Sequence, residues 1–233
     1  MTGTTKIQAL PETRADLYAE SKLPEHEAIY RRIRDMILFG DLAPGEPVTI
    51  MGLKDKVGAG LTPVREAIRR LTAEGALMAM GNRRICVPEI TLSDLEEIAF
   101  VRLAIEPEMA RQAAQKATQE TLEALREVDR QLNAAISRGD VHGYLLNNFR
   151  FHFCLYDAAD TPILQKIAQS LWLRSGPSTR VVCGLFGTSR LPDKHAEAID
   201  ALSASDAKGV AEAIAGDIHQ GVDLVRQSLT DPG

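Results

Sequence analysis

The chain has 233 residues, of which 45% are hydrophobic and only 5% aromatic, and its net charge is −5. That length holds one large or two modest domains, and the scarcity of aromatics suits helices packed through Ala, Leu and Ile. The acidic balance excludes a general nucleic-acid binder, and three scattered cysteines, Cys86, Cys154 and Cys183, exclude a disulfide framework or a cysteine metal site.

Residues 1–23 are polar with weak periodicity and read as an N-terminal arm, with a helical option at Ala15–Ala19. Pro24 to Phe39 reads as a helix with Ile29, Ile33, Met36 and Ile37 inward and Arg31, Arg32 and Arg34 outward. The run Gly40-Asp41-Leu42-Ala43-Pro44-Gly45 stops it. Ile50–Val57 reads as a shorter helix ended by the turn Gly58-Ala59-Gly60. Leu61–Leu71 follows as a helix, with Thr62 as its expected N-cap and Pro63 at the first helical position. Val64, Ile68 and Leu71 fall at i, i+4 and i+7 and form an apolar stripe, with Thr62, Arg65 and Arg69 opposite. Helix, glycine turn, helix is the helix-turn-helix unit, whose second helix enters the DNA major groove. Arginines there reach guanine edges or phosphates. Taken alone, the segment also fits a surface helix with solvated arginines.

Downstream, Ala76–Met80, a Gly81-Asn82-Arg83-Arg84 turn and Ile85–Val87 read as a hairpin stopped by Pro88. A hairpin with a basic tip beside a recognition helix is a wing, which puts Arg83 and Arg84 at backbone or minor-groove distance. The domain boundary is expected at about Glu89. Residues 1–88 hold 13 Lys+Arg against 11 Asp+Glu, and the remainder 14 against 21. A mildly basic head on an acidic body fits a chain that meets DNA through the head alone.

From Thr91 the pattern is almost wholly helical. One helix is expected from the Thr91/Ser93/Asp94 start to about Ala117, tolerating Pro107, one from Thr118 to Arg138, and one from Asp140 to Ala159. Another runs from Pro162 through Leu173, one from Pro192-Asp193 to about Ala204, and the last from Asp206 to about Leu229. Residues 175–191, with three glycines and Pro177, receive no assignment. The fold class is therefore mainly α: a winged helix-turn-helix at 24–88, then an all-α bundle at 89–233. The polar N-terminus and the lack of a membrane-length apolar run lead to the expectation of a cytoplasmic protein of a reducing compartment.

Ile29, Ile33, Ile37, Gly40-Asp41-Leu42-Ala43-Pro44-Gly45, Leu53, and the Thr62-Pro63-Val64-Arg65-Glu66-Ala67 run through Glu74-Gly75 together resemble the DNA-binding domain of GntR-type bacterial transcription regulators. The chain departs from that pattern at Leu61, where members often carry arginine, and at Ile50 and Met51, where many carry a charged residue. The candidate DNA contacts are Thr62, Arg65, Arg69, Lys54, Arg83 and Arg84. Val101 to Glu106, Asn148 to His152, Leu155 to Ala159 and His195 to Ile199 resemble the all-helical, FCD-type effector domain of the FadR-like branch. The resemblance implies a homodimeric regulator, with a repressor as the leading form, acting on a palindromic double-stranded DNA operator.

Asn148 and His152 share a helical face at i, i+4. The resemblance implies a divalent metal, Zn, Ni or Mn, held by that pair, by His195 and by a residue of the last helix. On that helix Val210, Ile214, Asp217, Gly221 and Leu224 form the inward stripe, which favours Asp217, with His219 as the alternative. Without a metal, His152 and His195 are hydrogen-bonded pocket histidines. Arg102 and Glu106 are either a plain helical ion pair or, with Arg102 turned inward, part of a carboxylate site facing the metal. The expected ligand-binding set is Arg102, Asn148, His152 and His195, and the expected effector is a small organic acid. Trp172 and Tyr144 are expected as core or pocket wall. The expected switch is a shift of the first long helix, which begins directly after the wing. No catalytic residue stands out: no nucleophile lies beside a base and there is no phosphate loop. The alternatives are a metal-dependent enzyme in a helical bundle with an accessory DNA-binding module, and an architectural DNA binder, which the acidic body disfavours.

Overall fold

The computed structural model describes residues 23–81, 84–186 and 192–230. The expected arm falls almost wholly outside them, as does Arg83. Helix α1 (Glu25–Leu38) buries Ile29, Ile33, Met36 and Ile37 on one side, as its periodicity predicts. Strand β1 (Pro47–Val48) leads into α2 (Ile50–Val57). Thr49 caps α2 by accepting from the Gly52 N–H, and Gly58 ends it in the left-handed conformation, at φ 63°. Arg32 of α1 donates to the Val57 carbonyl at the end of α2, fixing the pair.

Recognition helix α3 runs Leu61–Ala73 and buries Val64, Ala67, Ile68 and Leu71. Its N-cap is the extended Gly60, not Thr62. Leu61 is already helical, so Thr62 and Pro63 move two positions inward, to the second and third helical residues, and the threonine hydroxyl makes no cap bond. The wing is β2 (Met78–Met80) and β3 (Arg84–Cys86). β3 is the middle strand, antiparallel to both neighbours, and Ile85 faces Ala79 on one side and Val48 on the other. Pro47 sits on an edge strand, where its missing N–H is harmless. Two details differ from the sequence expectation. Arg84 pairs with Met80 inside the ladder instead of standing in the turn. Ala76 and Leu77 are buried linkers whose N–H groups return to the Leu71 carbonyl.

The body comprises α4 (Leu92–Lys116), α5 (Gln119–Ser137), α6 (Val141–Ala159), α7 (Pro162–Phe186), α8 (Lys194–Ser203) and α9 (Ala207–Thr230). Their starts follow local chemistry. Thr91 and Asp94 form a reciprocal capping box on α4, and Thr118 and Thr121 form one on α5. Asp140, Asp193 and Asp206 accept from the first turns of α6, α8 and α9. α4 packs mainly on α9 and α6, with α7 reaching both the bundle and the head. No described helix is long and apolar enough to cross a membrane.

Helix α7 is the main surprise, because it runs unbroken past Gly176 and Pro177. A tertiary contact explains the glycine. A Cβ at Gly176 would lie 2.3 Å from the carbonyl oxygen of Leu38, at the end of α1. Arg174 and Arg180, on either side, cover Gly75 and Gly40 of the head. Head and body therefore meet along α7 at a backbone-to-backbone approach. Gly176→Ala is expected to force the seam apart at about 1–3 kcal/mol of stability, the usual range for overpacking, measurable as a lower denaturation midpoint.

Candidate functional site

The site lies inside the body. His152 projects from α6, His195 from the first turn of α8 and Asp217 from the middle of α9. Their ligating atoms all lie within 4.8 Å of one another. His152 Nε2 is 2.9 Å from Asp217 Oδ2 and 3.4 Å from His195 Nε2, and His195 Nε2 is 3.8 Å from Asp217 Oδ1. Both histidines are buried and the carboxylate is partly so. Asn148, one turn before His152, lines the same cavity, and its Oδ1 is buried with no hydrogen-bond partner. His219 is exposed and takes no part. One turn of a helix is about 3.6 residues, so a two-residue step from Asp217 carries a side chain to the far face.

A hydrogen-bond chain fixes the His152 tautomer. Tyr156 donates to Glu106 Oε2 at 2.7 Å, so its oxygen accepts from His152 Nδ1–H at 3.0 Å. Nε2 of the same ring then faces the Asp217 carboxylate and a second imidazole. Acceptors this close require a positive charge between them, either a proton on Nε2 or a metal ion. Burial pushes His195 down to about 4, against the pull of Asp217, so its ring is neutral at neutral pH. Between its ordinary 6.5 and about 4 the unfolded chain takes up this proton and the folded chain does not, so acidification through that window destabilises the fold. Burial raises Asp217, but the His152 hydrogen bond, both imidazoles and Arg102 hold it well below the usual carboxylate range. Two imidazoles, one carboxylate and one orphaned amide oxygen form a donor set suited to Zn²⁺, Ni²⁺ or Mn²⁺.

Arg102 does point into the bundle, and it is also an ion pair. Its Nε and Nη2 reach Glu106 Oε1 and Oε2 at 2.6 and 3.2 Å, and its guanidinium carbon lies 4.5 Å from the Trp172 ring centroid. Burial opposes its charge, and Glu106 more than restores it. Glu106 takes the Nε/Nη2 edge, which leaves Nη1 and the second Nη2 N–H to turn toward a ligand. Glu106 is wholly buried and also accepts from the Trp172 indole N–H at 3.2 Å. Trp172 and Tyr144 both line the cavity.

Sequence reasoning missed three participants. Tyr156 was within reach, being i+4 from His152 on the same face. The acceptor role of Glu106 toward α6 and α7 has no sequence signal. Neither has Asp129 of α5, whose Oδ1 lies 3.9 Å from His195 Nδ1 without a hydrogen bond and whose carboxyl burial and Asp193 push up to about 6.

On the head, Thr62, Arg65 and Arg69 are exposed along α3, Arg84 is exposed on β3, and Lys54 is partly exposed beside Asp55. Arg69 is tied to Glu66 and Arg70 to Glu27 and Glu74. Arg65 makes no ion pair or hydrogen bond among the described residues, so of the three it is the guanidinium ready for a base or phosphate. Leu61 and Met51, at the departures from the family pattern, are exposed apolar side chains.

The model for bacterial regulatory proteins of the gntR family matches residues 25–87, and that for the FCD domain matches residues 97–220. The chain belongs to the GntR family. Among GntR relatives, it is 28% identical to the HTH-type transcriptional regulator McbR of Escherichia coli K12 over 199 residues, covering 84% of this chain and 90% of McbR. It is 26% identical to the HTH-type transcriptional repressor RspR of the same organism over 208 residues, covering 88% and 90%. The solved structure of E. coli McbR/YncC superposes with a TM-score of 0.83 at 25% identity, over 88% of this chain and 99% of that one. A GntR structure from Rhodococcus sp. RHA1 shares the fold, with a TM-score of 0.73 at 18% identity, over 87% and 98%. The protein is a DNA-binding transcriptional regulator with an FCD effector domain. The matched families and relatives are regulators, which sets aside the enzyme with an accessory DNA-binding module.

Proposed function

We propose that this GntR regulator is a homodimeric, ligand-responsive repressor whose helical domain, from about Glu89, binds a small organic acid through a divalent metal held by Asn148, His152, His195 and Asp217. The observation that carries the reading is the convergence of two imidazoles and a carboxylate on one point, beside the partnerless Asn148 Oδ1, where Asn148, His195 and Asp217 line the cavity. A divalent ion held there supplies a Lewis-acidic charge that attracts a carboxylate oxygen. The chain's own contribution is to keep the donors ready. Tyr156 and Glu106 hold the His152 tautomer, Phe151 stacks on the His195 ring at 4.0 Å, and burial keeps that ring unprotonated.

A dimer is supported by the size of one reading head. One recognition helix reads a short half-site, and two on a two-fold axis read a palindrome. Phe100 of α4, 75% exposed, and Ile163 of α7, 76% exposed, are apolar side chains suited to a partner copy. RspR is a transcriptional repressor, and repression comes to this chain as part of the proposal.

DNA reading rests on Arg65 first, then Thr62, Arg69, Lys54, Arg84 and, outside the described residues, Arg83. Arg65→Ala is expected to weaken specific operator binding by about 1–3 kcal/mol, the range for a bidentate base contact. The check is fluorescence anisotropy on the operator and on random duplex at one salt concentration. Equal losses on both would reduce Arg65 to a phosphate contact, and no loss on either would remove it from the interface.

A further inference from the structure

The effector cavity has a volume of about 340 Å³, within the range of small-molecule sites, and its two ends are unlike. His195, Asp217 and Asn148 stand at one end. Leu38 and Phe39 of the head stand at the other, where the Leu38 backbone meets Gly176 of α7 and Thr179 joins the lining. A run of ring contacts leads from the head to the histidines, Phe39 to Phe149 at 5.9 Å, Phe149 to Trp172 at 5.7 Å and Trp172 to His152 at 4.9 Å.

The charges along this wall nearly cancel. Among the described lining residues the lysines and arginines are Arg102 and Lys194, and the acids are Asp193 and Asp217. Each already holds a carboxylate: Arg102 holds Glu106, and Lys194 holds Glu197 at 2.7 Å. The donor set carries one negative charge, on Asp217. A divalent ion in it leaves a single net positive charge, which one carboxylate neutralises. A second or third carboxylate would be taken out of water with no cation to meet it, close to Asp217 and Glu106, and unpaired charge is what buried sites reject most strongly.

We propose that the ligand is a monocarboxylate with an extended apolar body, its carboxylate at the His152, His195 and Asp217 end and its tail against Leu38 and Phe39 of the DNA-binding head. This rests on the metal-and-carboxylate reading above and narrows it to one chemical class. A ligand laid out in this way touches both domains. Its tail fills the seam beside the Gly176 approach to Leu38, so occupancy acts on the head directly, without passing through the linker to α4.

The test is isothermal titration of the full chain, loaded with one equivalent of Zn²⁺, with butyrate, hexanoate, octanoate, succinate and citrate. Trp172, the single tryptophan, lines the cavity and gives a fluorescence readout of the same site. Affinity is expected to rise about fourfold for each methylene group added from butyrate to octanoate, with succinate and citrate weaker than octanoate. Thr179→Leu, which fills the head-side end, is expected to lose at least tenfold toward octanoate while butyrate binds as before, and its melting temperature reports that the variant is folded. Citrate or succinate binding more tightly than octanoate would overturn the monocarboxylate proposal and leave the metal-and-carboxylate reading standing. Zn²⁺ bound with no carboxylate binding at all would overturn both. A flat chain-length series, or equal losses of butyrate and octanoate in Thr179→Leu, would overturn the placement of the tail.

Discussion

The His152→Ala, His195→Ala double variant is expected to bind the operator with near-wild-type affinity and to lose its response to effector. The two imidazoles are two of the four proposed donors, and they are the pair whose Nε2 atoms face each other at 3.4 Å. Changes to groups that merely orient metal ligands already lower affinity by about 10–100-fold, so removal of both rings should cost more than about a hundredfold in metal binding. The head is untouched, since α3 and the wing lie on the other side of the seam. His152 is fully buried, so some stability is lost with its packing. His195→Ala alone, at the edge of the cavity, is the milder companion and should show the same loss of metal with a smaller drop in melting temperature. Metal content, operator anisotropy and effector response are the three readouts. A double variant that still responds with unchanged effector affinity would return both histidines to a structural role.

Glu106→Ala is expected to be the most destabilising single change in the body, at about 3–5 kcal/mol, the range for stripping one partner from a buried charge pair. Glu106 is 0% exposed and satisfies three donors at once: the Arg102 guanidinium, the Tyr156 hydroxyl and the Trp172 indole. Its loss leaves Arg102 charged and buried with no carboxylate. It also frees the Tyr156 proton to turn toward His152 Nδ1, which favours the tautomer carrying hydrogen on Nε2, the wrong one for a ligand. Urea denaturation of the metal-free chain measures the first effect, and competition with a chelator measures the second. Unchanged stability in Glu106→Ala would show that Arg102 reaches solvent on its own and that the network is not what orders the site.

Much of this was legible locally. The bounds of α2 follow from residues at its own ends, Thr49 and Gly58. The starts of α4 and α5 are written in Thr91/Asp94 and Thr118/Thr121. The inward stripe of α9 brought Asp217 forward over His219, because helical periodicity alone separates residues two positions apart. What escaped was set by distant contacts. Gly176 and Pro177 look like helix breakers, yet α7 runs through both, and the glycine is there to admit the Leu38 carbonyl. β1 is two residues long and exists only through its pairing with β3, which also draws Arg84 out of the turn. The threonine of a Thr-Pro start looked like the cap, but Gly60 takes that place one residue earlier than Leu61. Glu106 reads locally as the partner of an arginine one turn away, and nothing nearby in the chain announces the tyrosine and tryptophan that also depend on it. The sequence also suggested that the signal leaves the body through the start of α4. The direct meeting of α1 and α7, with the cavity reaching Leu38 and Phe39, offers a shorter route.

Native mass spectrometry of the full chain, purified and then supplied with Zn²⁺, Ni²⁺ or Mn²⁺ and an excess of carboxylate, tests the central claim most directly. The predicted spectrum is a dimer carrying one divalent ion per chain and, on each, one carboxylate ligand that departs when the ion is chelated. A monomer, or a dimer that takes up none of the three ions, would contradict it.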